Sequence, residues 1–265
     1  MCCVLSIGCG GSTSTNNTYL TQSSTTSSSS CSYTVCPAST DICQIRIDFE
    51  KFVMAGASTT TGKKGQCSDD SLTISNPSGP NPPLVCGTLT GQHMYIDASS
   101  SCHTIMAMIG STDTTTTREW SMRVQQIECN NPLLAPEGCL QYNTGTTGYI
   151  YNFGWVGTTA LATSTTAHQN NQAYNICFRT EEGYCSMEYF SPTAAFSVGV
   201  NAIASESLFG DSCTGDYLRI PGMKEAPSTA PTALVTAIGD RICGRAWAYP
   251  AGSTSKTLVS KYQVY

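Results

Sequence analysis

The sequence predicts an all-β protein built from disulfide-stabilised domains of the β-sandwich or jelly-roll type. Fifteen cysteines accompany only three histidines in 265 residues. Short stretches alternate apolar and polar residues with a period of two, and clusters of Gly, Pro, Asn and Ser separate them. No amphipathic helical stretch of useful length occurs. Many short strands with turn signals are typical of sandwiches and jelly rolls.

Two stretches carry the clearest strand pattern. Residues 45–50 (IRIDFE) and residues 120–124 (WSMRV) alternate apolar and polar side chains. Residues 72–74 and 94–96 are shorter examples. Such alternation predicts strands with one face on a core and the other toward water.

Composition excludes several classes of protein. The net charge is −5 and charged residues make up 12% of the chain, without a basic stripe that could bind nucleic acid. No apolar run approaches the roughly 18–20 residues of a membrane-spanning helix. The many cysteines lack the paired spacing of zinc sites, so they predict disulfides and a secreted, extracellular protein.

An odd cysteine count leaves one thiol without a partner inside the chain. That thiol would pair with another chain or with a cysteine outside this segment. The residues alone do not assign Cys2, Cys3, Cys102, Cys129 or Cys139.

Three landmarks occur twice in the same order, which predicts two homologous domains. They are Y-x-[VI]-C at 33–36 and 174–177, C-x-x-D-x-L-x-I at 67–74 and 213–220, and Cys-Gly at 86–87 and 243–244. We therefore expect a first domain with an N-terminal extension at 1–129, a short linker at 130–138, and a second domain at 139–265. The linker carries two prolines and a glycine. A bridge between its flanking residues Cys129 and Cys139 would stiffen it.

Several polar segments contain candidate glycosylation sites. Asn16-Asn17-Thr18 is an N-glycosylation sequon, which predicts a glycan on Asn16. Three Ser/Thr-rich segments are interpreted as solvated loops, with O-glycosylation as the alternative. They are residues 21–30, 112–117 and 158–166.

The landmarks resemble those of a CUB domain. The resemblance rests on Cys9-Gly10-Gly11, Cys31-Ser-Tyr33-Thr-Val35, Cys67-x-x-Asp70-x-Leu72, Cys86-Gly87 and a strand ending near Trp120. The second repeat resembles a more divergent CUB domain. Residues 90–97, 138–142 and 171–179 are similar to a group of arthropod extracellular proteins with paired CUB domains, and that resemblance covers nearly the whole chain. The resemblance implies two tandem CUB-like jelly-roll sandwiches, each with two antiparallel sheets.

The same resemblance implies a set of disulfides. By the family pattern Cys9 pairs with Cys31, Cys67 with Cys86, and Cys213 with Cys243. Cys36–Cys43 and Cys177–Cys185 look like an extra local bridge that both repeats share.

Many CUB domains hold calcium through acidic residues of adjoining loops, and hard oxygen ligands suit that ion. The resemblance places candidate ligands at Asp70, Asp113 and Asp216. The first acidic position of the family is missing from residues 55–62, and Glu206 or Asp211 would have to supply it in the second domain. In the alternative interpretation, Asp70 and Asp216 are turn residues that accept hydrogen bonds from the loop backbone.

Catalysis has little support in the sequence. There is no G-x-S-x-G elbow, no H-E-x-x-H motif and no dinucleotide-binding fingerprint. The histidines at 93, 103 and 168 are scattered, and we interpret them as surface or structural residues. We therefore predict no catalytic residues and no enzyme activity.

The second repeat looks unfinished. It has 22 residues after Cys243, whereas the first has 34 from Cys86 to Trp120 alone. Either the natural chain continues, or a strand from another molecule completes the sandwich. The apolar residues 3–7 are a candidate donor strand, and head-to-tail donation that does not close would form a filament.

Three functions follow from these observations. The first is a non-enzymatic extracellular structural protein that self-assembles into a fibre or matrix. The second is a soluble extracellular protein that recognises a protein or a glycan, with calcium as a candidate cofactor. The third is the accessory part of a secreted enzyme.

Overall fold

The computed structural model describes residues 4–155, 168–191, 196–198, 207–225, 239–244, 247 and 258–261. Within them the chain forms strands and a short 3-10 helix, Gly210–Ser212. The strands are β1 Ser6–Ile7, β2 Ser12–Thr13, β3 Thr18–Thr25, β4 Ser29–Val35, β5 Ile42–Val53, β6 Ser71–Ile74, β7 His93–Asp97, β8 His103–Ile109, β9 Arg118–Glu128, β10 Cys139–Asn143, β11 Asn175–Phe178, β12 Ser186–Tyr189, β13 Ser207–Phe209, β14 Leu218–Arg219, β15 Lys224–Glu225, β16 Arg241–Gly244 and β17 Leu258–Lys261. The predicted all-β class is confirmed.

The chain divides into two compact units. The first comprises Met1–Val156 with Ala167–Arg179, and the second comprises Gly157–Thr166 with Thr180–Tyr265. Residues 130–138, predicted as a linker, lie inside the first unit. Gln44 fixes them there, because its side chain accepts from the backbone N–H of Ala135 at 2.8 Å and donates to the carbonyl of Ala135 at 2.9 Å.

The first unit contains two main sheets. One has five strands in the order β1-β3-β9-β5-β7, and the other has four strands in the order β2-β4-β8-β6. Strands β10 and β11 form a separate parallel pair. The short strand β1 pairs with β3 of its own chain, so Ser6 and Ile7 of the candidate donor segment already have a partner strand.

The core of the first unit draws on both main sheets. The alternation predicted for residues 45–50 is confirmed, since Ile45, Ile47 and Phe49 are all buried. Residues 120–124 behave in the same way. Trp120 is 1% exposed, and its Nε1 donates to the hydroxyl of Tyr33 at 2.9 Å. This bond joins a strand of one sheet to a strand of the other and satisfies a buried donor.

One of the polar segments is more regular than the sequence suggested. Residues 21–25 belong to β3 and residues 29–30 to β4, so the interpretation of 21–30 as a solvated loop is wrong. Thr and Ser fit a strand whose alternate positions face water. Residues 112–117 do form a loop, whereas residues 158–166 lie outside the described residues.

Three implied disulfides are present. Cys9 is bonded to Cys31, Cys67 to Cys86, and Cys213 to Cys243.

The other implied bridges are wrong. Cys36 is bonded to Cys102 and Cys43 to Cys129, so no Cys36–Cys43 bridge forms. The register explains this, because Cys36 follows β4 in one sheet while Cys43 lies in β5 of the other. The antiparallel partners of those strands bring Cys102 and Cys129 alongside.

The cysteines after the predicted linker also differ from expectation. Cys139 is bonded to Cys177, which leaves neither Cys129 nor Cys139 for a bridge across residues 130–138. Cys185 is a free, exposed thiol, so the implied Cys177–Cys185 bridge is wrong.

The second unit contains two small antiparallel sheets in the described residues. Their strand orders are β12-β17-β15 and β13-β16-β14. A buried cluster of Ile220, Met223 and Ile242 supports them. The bridge from Cys213 reaches β16 at Cys243, and so ties the 3-10 helix to a strand.

Candidate functional site

Four charged residues meet at one end of the first unit. Asp69 and Asp70 lie just before β6, Asp113 lies in the loop before β9, and Arg118 begins β9. We call these four residues the Asp–Arg cluster. The side chain of Arg118 is completely buried, as is that of Asp70.

Arg118 uses all five of its N–H donors in hydrogen bonds to this cluster and to Thr116. Its Nε donates to Oδ2 of Asp70 at 2.7 Å, and its Nη2 donates to Oδ1 of the same carboxylate at 3.0 Å. Nη2 also donates to Asp69 at 3.3 Å. The two remaining donors reach the backbone carbonyls of Asp113 and Thr116. A guanidinium fully matched to acceptors is a fixed part of the fold.

Asp70 also accepts from the backbone. The N–H of Ala55 donates to its Oδ2 at 2.7 Å, and the N–H of Gly110 donates to its Oδ1 at 2.9 Å. The alternative role predicted for Asp70, as a residue that accepts hydrogen bonds from the loop backbone, therefore describes its contacts.

Asp69 and Asp113 shape the loop that precedes β9. Asp69 accepts from the backbone N–H groups of Thr112 and Asp113 at 2.9 and 2.7 Å. Burial raises the pKa of Asp69, but these hydrogen bonds and the nearby Arg118 outweigh it, so the pKa is lowered overall. Hydrogen bonds from Thr116 and Thr115 hold the pKa of Asp113 below its ordinary value. Both carboxylates are thus stabilised in their charged form.

This arrangement does not fit calcium at Asp70 and Asp113. A guanidinium already lies where converging carboxylates would hold a cation, and it engages both oxygens of Asp70. Within the described residues no group of three or more His, Cys, Asp or Glu side chains is placed to hold a metal ion. The contacts of Asp70 thus disagree with the calcium ligation that the resemblance implies there, and calcium at Asp216 stays a prediction.

The predicted calcium ligands belong to two different units, as the separate sites of the two repeats require. Asp70 and Asp113 share the Asp–Arg cluster, whereas Asp216 is exposed and belongs to the second unit. Asp211 lies in the 3-10 helix, and Glu206 lies outside the described residues.

Sequence reasoning missed the central residue of the cluster. Arg118 lies two positions before Trp120, in phase with the buried side of β9. A charged residue on the buried side of a strand needs a buried partner. The position of Arg118 in the alternating pattern could therefore have identified it as part of a site.

The outer faces of the two main sheets differ in charge. The five-stranded sheet carries ion pairs between Arg46 and Asp48 at 2.7 Å and between Lys51 and Glu119 at 2.7 Å. Arg123 adds a contact to Asp48 at 3.1 Å.

The outer face of the four-stranded sheet has no charged side chain at its strand positions. Two exposed methionines on β8, Met106 and Met108, lie in the middle of it. We call this the Ser/Thr/Met face, and its nine residues are Ser12, Ser30, Ser32, Thr34, Ser71, Thr73, Thr104, Met106 and Met108.

The sequon residue Asn16 is exposed, and its amide already bonds the backbone. Its Oδ1 accepts from the N–H of Gln126 at 2.8 Å, and its Nδ2 donates to the carbonyl of Gln126 at 3.1 Å. A glycan would have to share Nδ2 with that second bond. Occupancy of the sequon stays a prediction.

Residues 136–265 match the family model of the animal CUB domain. A CUB domain is therefore detected in this chain. The match covers the second of the two predicted domains, although the motifs that carried the resemblance lie mainly in the first. The tandem arrangement stays a prediction.

Two solved structures match this chain over most of its length. The CUB1-EGF-CUB2 domain of human MASP-1/3 matches with a TM-score of 0.33 and 11% identity, over 91% of this chain and 97% of that chain. The full extracellular region of zebrafish Gpr126/Adgrg6 matches with a TM-score of 0.34 and 10% identity, over 98% of this chain and 29% of that one. No curated protein matches.

The CUB domain detected at residues 136–265 indicates an extracellular protein-interaction role for that part of the chain. CUB domains are extracellular, non-catalytic modules that mediate protein interactions, and the disulfides of this chain fit a secreted protein. Among the described residues, no helix has the length and apolar character needed to cross a membrane.

Proposed function

We propose that this chain is a non-enzymatic extracellular structural protein that self-associates through the Ser/Thr/Met face. The observation that carries this proposal is the absence of charged side chains from the strand positions of that face. This absence of charge is observed in the described residues of the first unit. The opposite sheet, by contrast, carries ion pairs.

A second copy of the chain suits this face. Two copies of a charged surface would bring like charges together, which costs free energy, whereas two charge-free faces meet without that penalty. Met106 and Met108 are 37% and 41% exposed, and pairing would remove their flexible apolar side chains from water. The surrounding hydroxyl groups can hydrogen-bond across the contact.

A fibre needs a second contact. A face that pairs with itself closes into a dimer, so growth requires another surface. Val4 and Leu5 are 70% and 44% exposed and precede β1, at the edge of the five-stranded sheet. We propose this apolar segment as the second contact, in place of donation of the whole stretch 3–7.

Sedimentation equilibrium over a range of concentrations tests the first contact. We expect the unaltered chain to form dimers or larger species, and Met106→Lys to shift it toward monomer by placing a charge on the pairing face. Gln125→Lys is the matched control, because it adds the same charge to the outer face of β9 in the other sheet.

Two results would contradict the proposal. A monomer at every concentration would remove self-association and favour the soluble binding protein. Equal association of the Met106→Lys and Gln125→Lys variants would show that another surface is used. Electron microscopy then separates dimers from fibres, and charged substitutions at Val4 and Leu5 should abolish only the fibres.

A further inference from the structure

Three aromatic rings lie exposed in a row after β10. The rings of Tyr149 and Tyr151 are 6.1 Å apart between centroids and inclined by 9°. The rings of Tyr151 and Trp155 are 6.3 Å apart and inclined by 10°. Tyr149 is 75% exposed, Tyr151 is 41% exposed and Trp155 is partly exposed. We call these residues the aromatic row.

The row is attached firmly to the first unit. Phe153, between Tyr151 and Trp155, is 2% exposed and belongs to the main core. Its backbone N–H donates to the hydroxyl of Tyr174 at 3.3 Å. Gln92 donates from Nε2 to the carbonyl of Asn152 at 3.0 Å. Phe153 therefore anchors a segment that leaves its neighbouring rings in water.

Exposed aromatic rings at an anchored site require an explanation. Tyr and Trp that serve the fold bury most of their surface, and here the buried role belongs to Phe153. The three rings are nearly parallel and stacked in sequence, and the exposed surface of Tyr149 and Tyr151 allows a ligand to extend that stack. Residues 142–155 contain no charged side chain, and the exposed Thr144, Thr146 and Thr147 supply neutral hydroxyl groups.

We propose that the aromatic row binds a neutral, extended oligosaccharide. A pyranose ring has an apolar face of C–H groups, which stacks on an aromatic ring and loses contact with water. The sugar hydroxyl groups at the ring edge remain free to bond with the threonines, the tyrosine hydroxyls and Asn152. Stacked apolar faces with a few neutral polar groups around them are the features such a ligand needs.

Other ligands of aromatic surfaces fit less well. Nucleic-acid bases stack on aromatic rings, but their phosphates need Lys or Arg, and residues 142–155 have neither. A quaternary ammonium group needs rings that surround it, whereas these rings are nearly parallel. The proposal goes beyond self-association and uses residues outside the Ser/Thr/Met face.

Calorimetry on the full chain tests the site, with soluble hexasaccharides of β-1,4-linked glucose, N-acetylglucosamine, mannose and xylose as probes. We expect at least one probe to bind. Tyr151→Ala should weaken that binding about tenfold or more, since it removes the central ring of the row. Tyr184→Ala is the matched control, because Tyr184 is 51% exposed and lies in the second unit.

The fluorescence of Trp155 gives a second readout. We expect the probe to change the emission of the unaltered chain, Trp155→Phe to keep the affinity but lose that change, and Trp155→Ala to lose affinity. Failure of all four probes to bind, or equal weakening by Tyr151→Ala and Tyr184→Ala, would overturn the proposal. If the Tyr151→Ala variant sediments like the unaltered chain, self-association does not depend on the aromatic row.

Discussion

The guanidinium of Arg118 is held by the carboxylate of Asp70 through two parallel hydrogen bonds, of 2.7 and 3.0 Å, with both side chains fully buried. Removing one member of such a pair leaves a buried charge without compensation, at a cost of about 3–5 kcal/mol. The pair also ties the start of β9 to the residue before β6, so its loss should loosen that end of the unit.

We predict that Asp70→Asn lowers the free energy of unfolding by about 3–5 kcal/mol. Urea unfolding followed by tryptophan fluorescence measures the change. Asp41→Asn is the control, since Asp41 is exposed and the substitution should change stability by less than about 0.5 kcal/mol. Equal stability of the two variants would show that the Arg118–Asp70 pair is not buried as described.

Calcium should leave the unaltered protein unchanged. Because Arg118 already occupies the carboxylates of Asp69 and Asp70, we expect the same melting temperature in calcium and in chelator. Arg118→Gln removes the guanidinium charge and leaves Asp69 and Asp70 close together, so this variant should become more stable when calcium is added. A calcium-dependent rise for the unaltered chain would favour the predicted site at Asp70, Asp113 or Asp216, and alanine substitution of each would locate it.

The sequence predicts strands well wherever alternation reaches the core. Residues 45–50 and 120–124 were assigned correctly because one face of each strand packs against the opposite sheet. The charge partner Asp70 was also identifiable as an acidic loop residue. Arg118 was not, because its role depends on a carboxylate 48 residues earlier in the chain.

The internal repeat identified equivalent disulfides in the two units, but it did not identify equivalent strand pairing. Cys67 and Cys213 each form the bridge that the resemblance implied, in different units. Tyr33 and Tyr174 carry the same local motif but lie in one unit, where Tyr33 belongs to β4 and Tyr174 directly precedes β11, and these two strands have different partners. A four-residue motif does not encode strand pairing, which depends on register over the whole sheet.

Disulfide mapping under non-reducing conditions should recover Cys36–Cys102 and Cys43–Cys129. The bonded cysteines are 66 and 86 residues apart in sequence. By lowering the entropy of the unfolded chain, each bridge stabilises the folded state by about 4 kcal/mol. Cys102→Ser should therefore lower stability far more than Cys185→Ser, which removes a free, exposed thiol. Recovery of a Cys36–Cys43 peptide would contradict the register between β4 and β8.

His93 connects stability to pH. Burial, together with the nearby charge of Arg46, lowers its pKa to about 4, while Asp48 opposes the shift. The backbone N–H of Tyr142 donates to Nε2 of the neutral ring at 3.0 Å. His103 has a lowered pKa for the same main reason, burial.

Between pH 6.5 and about 4, the unfolded chain binds a proton at residue 93 and the folded chain does not. Stability from this residue is therefore complete above pH 6.5 and is lost as the pH falls toward 4, by on the order of 3 kcal/mol at most. His93→Gln removes this contribution, so its stability should fall less than that of the unaltered chain over the same range. Both proteins keep His103, and the difference between their urea unfolding curves at each pH isolates His93. Parallel pH profiles would mean that the ring of His93 is charged in the folded protein or reaches solvent freely.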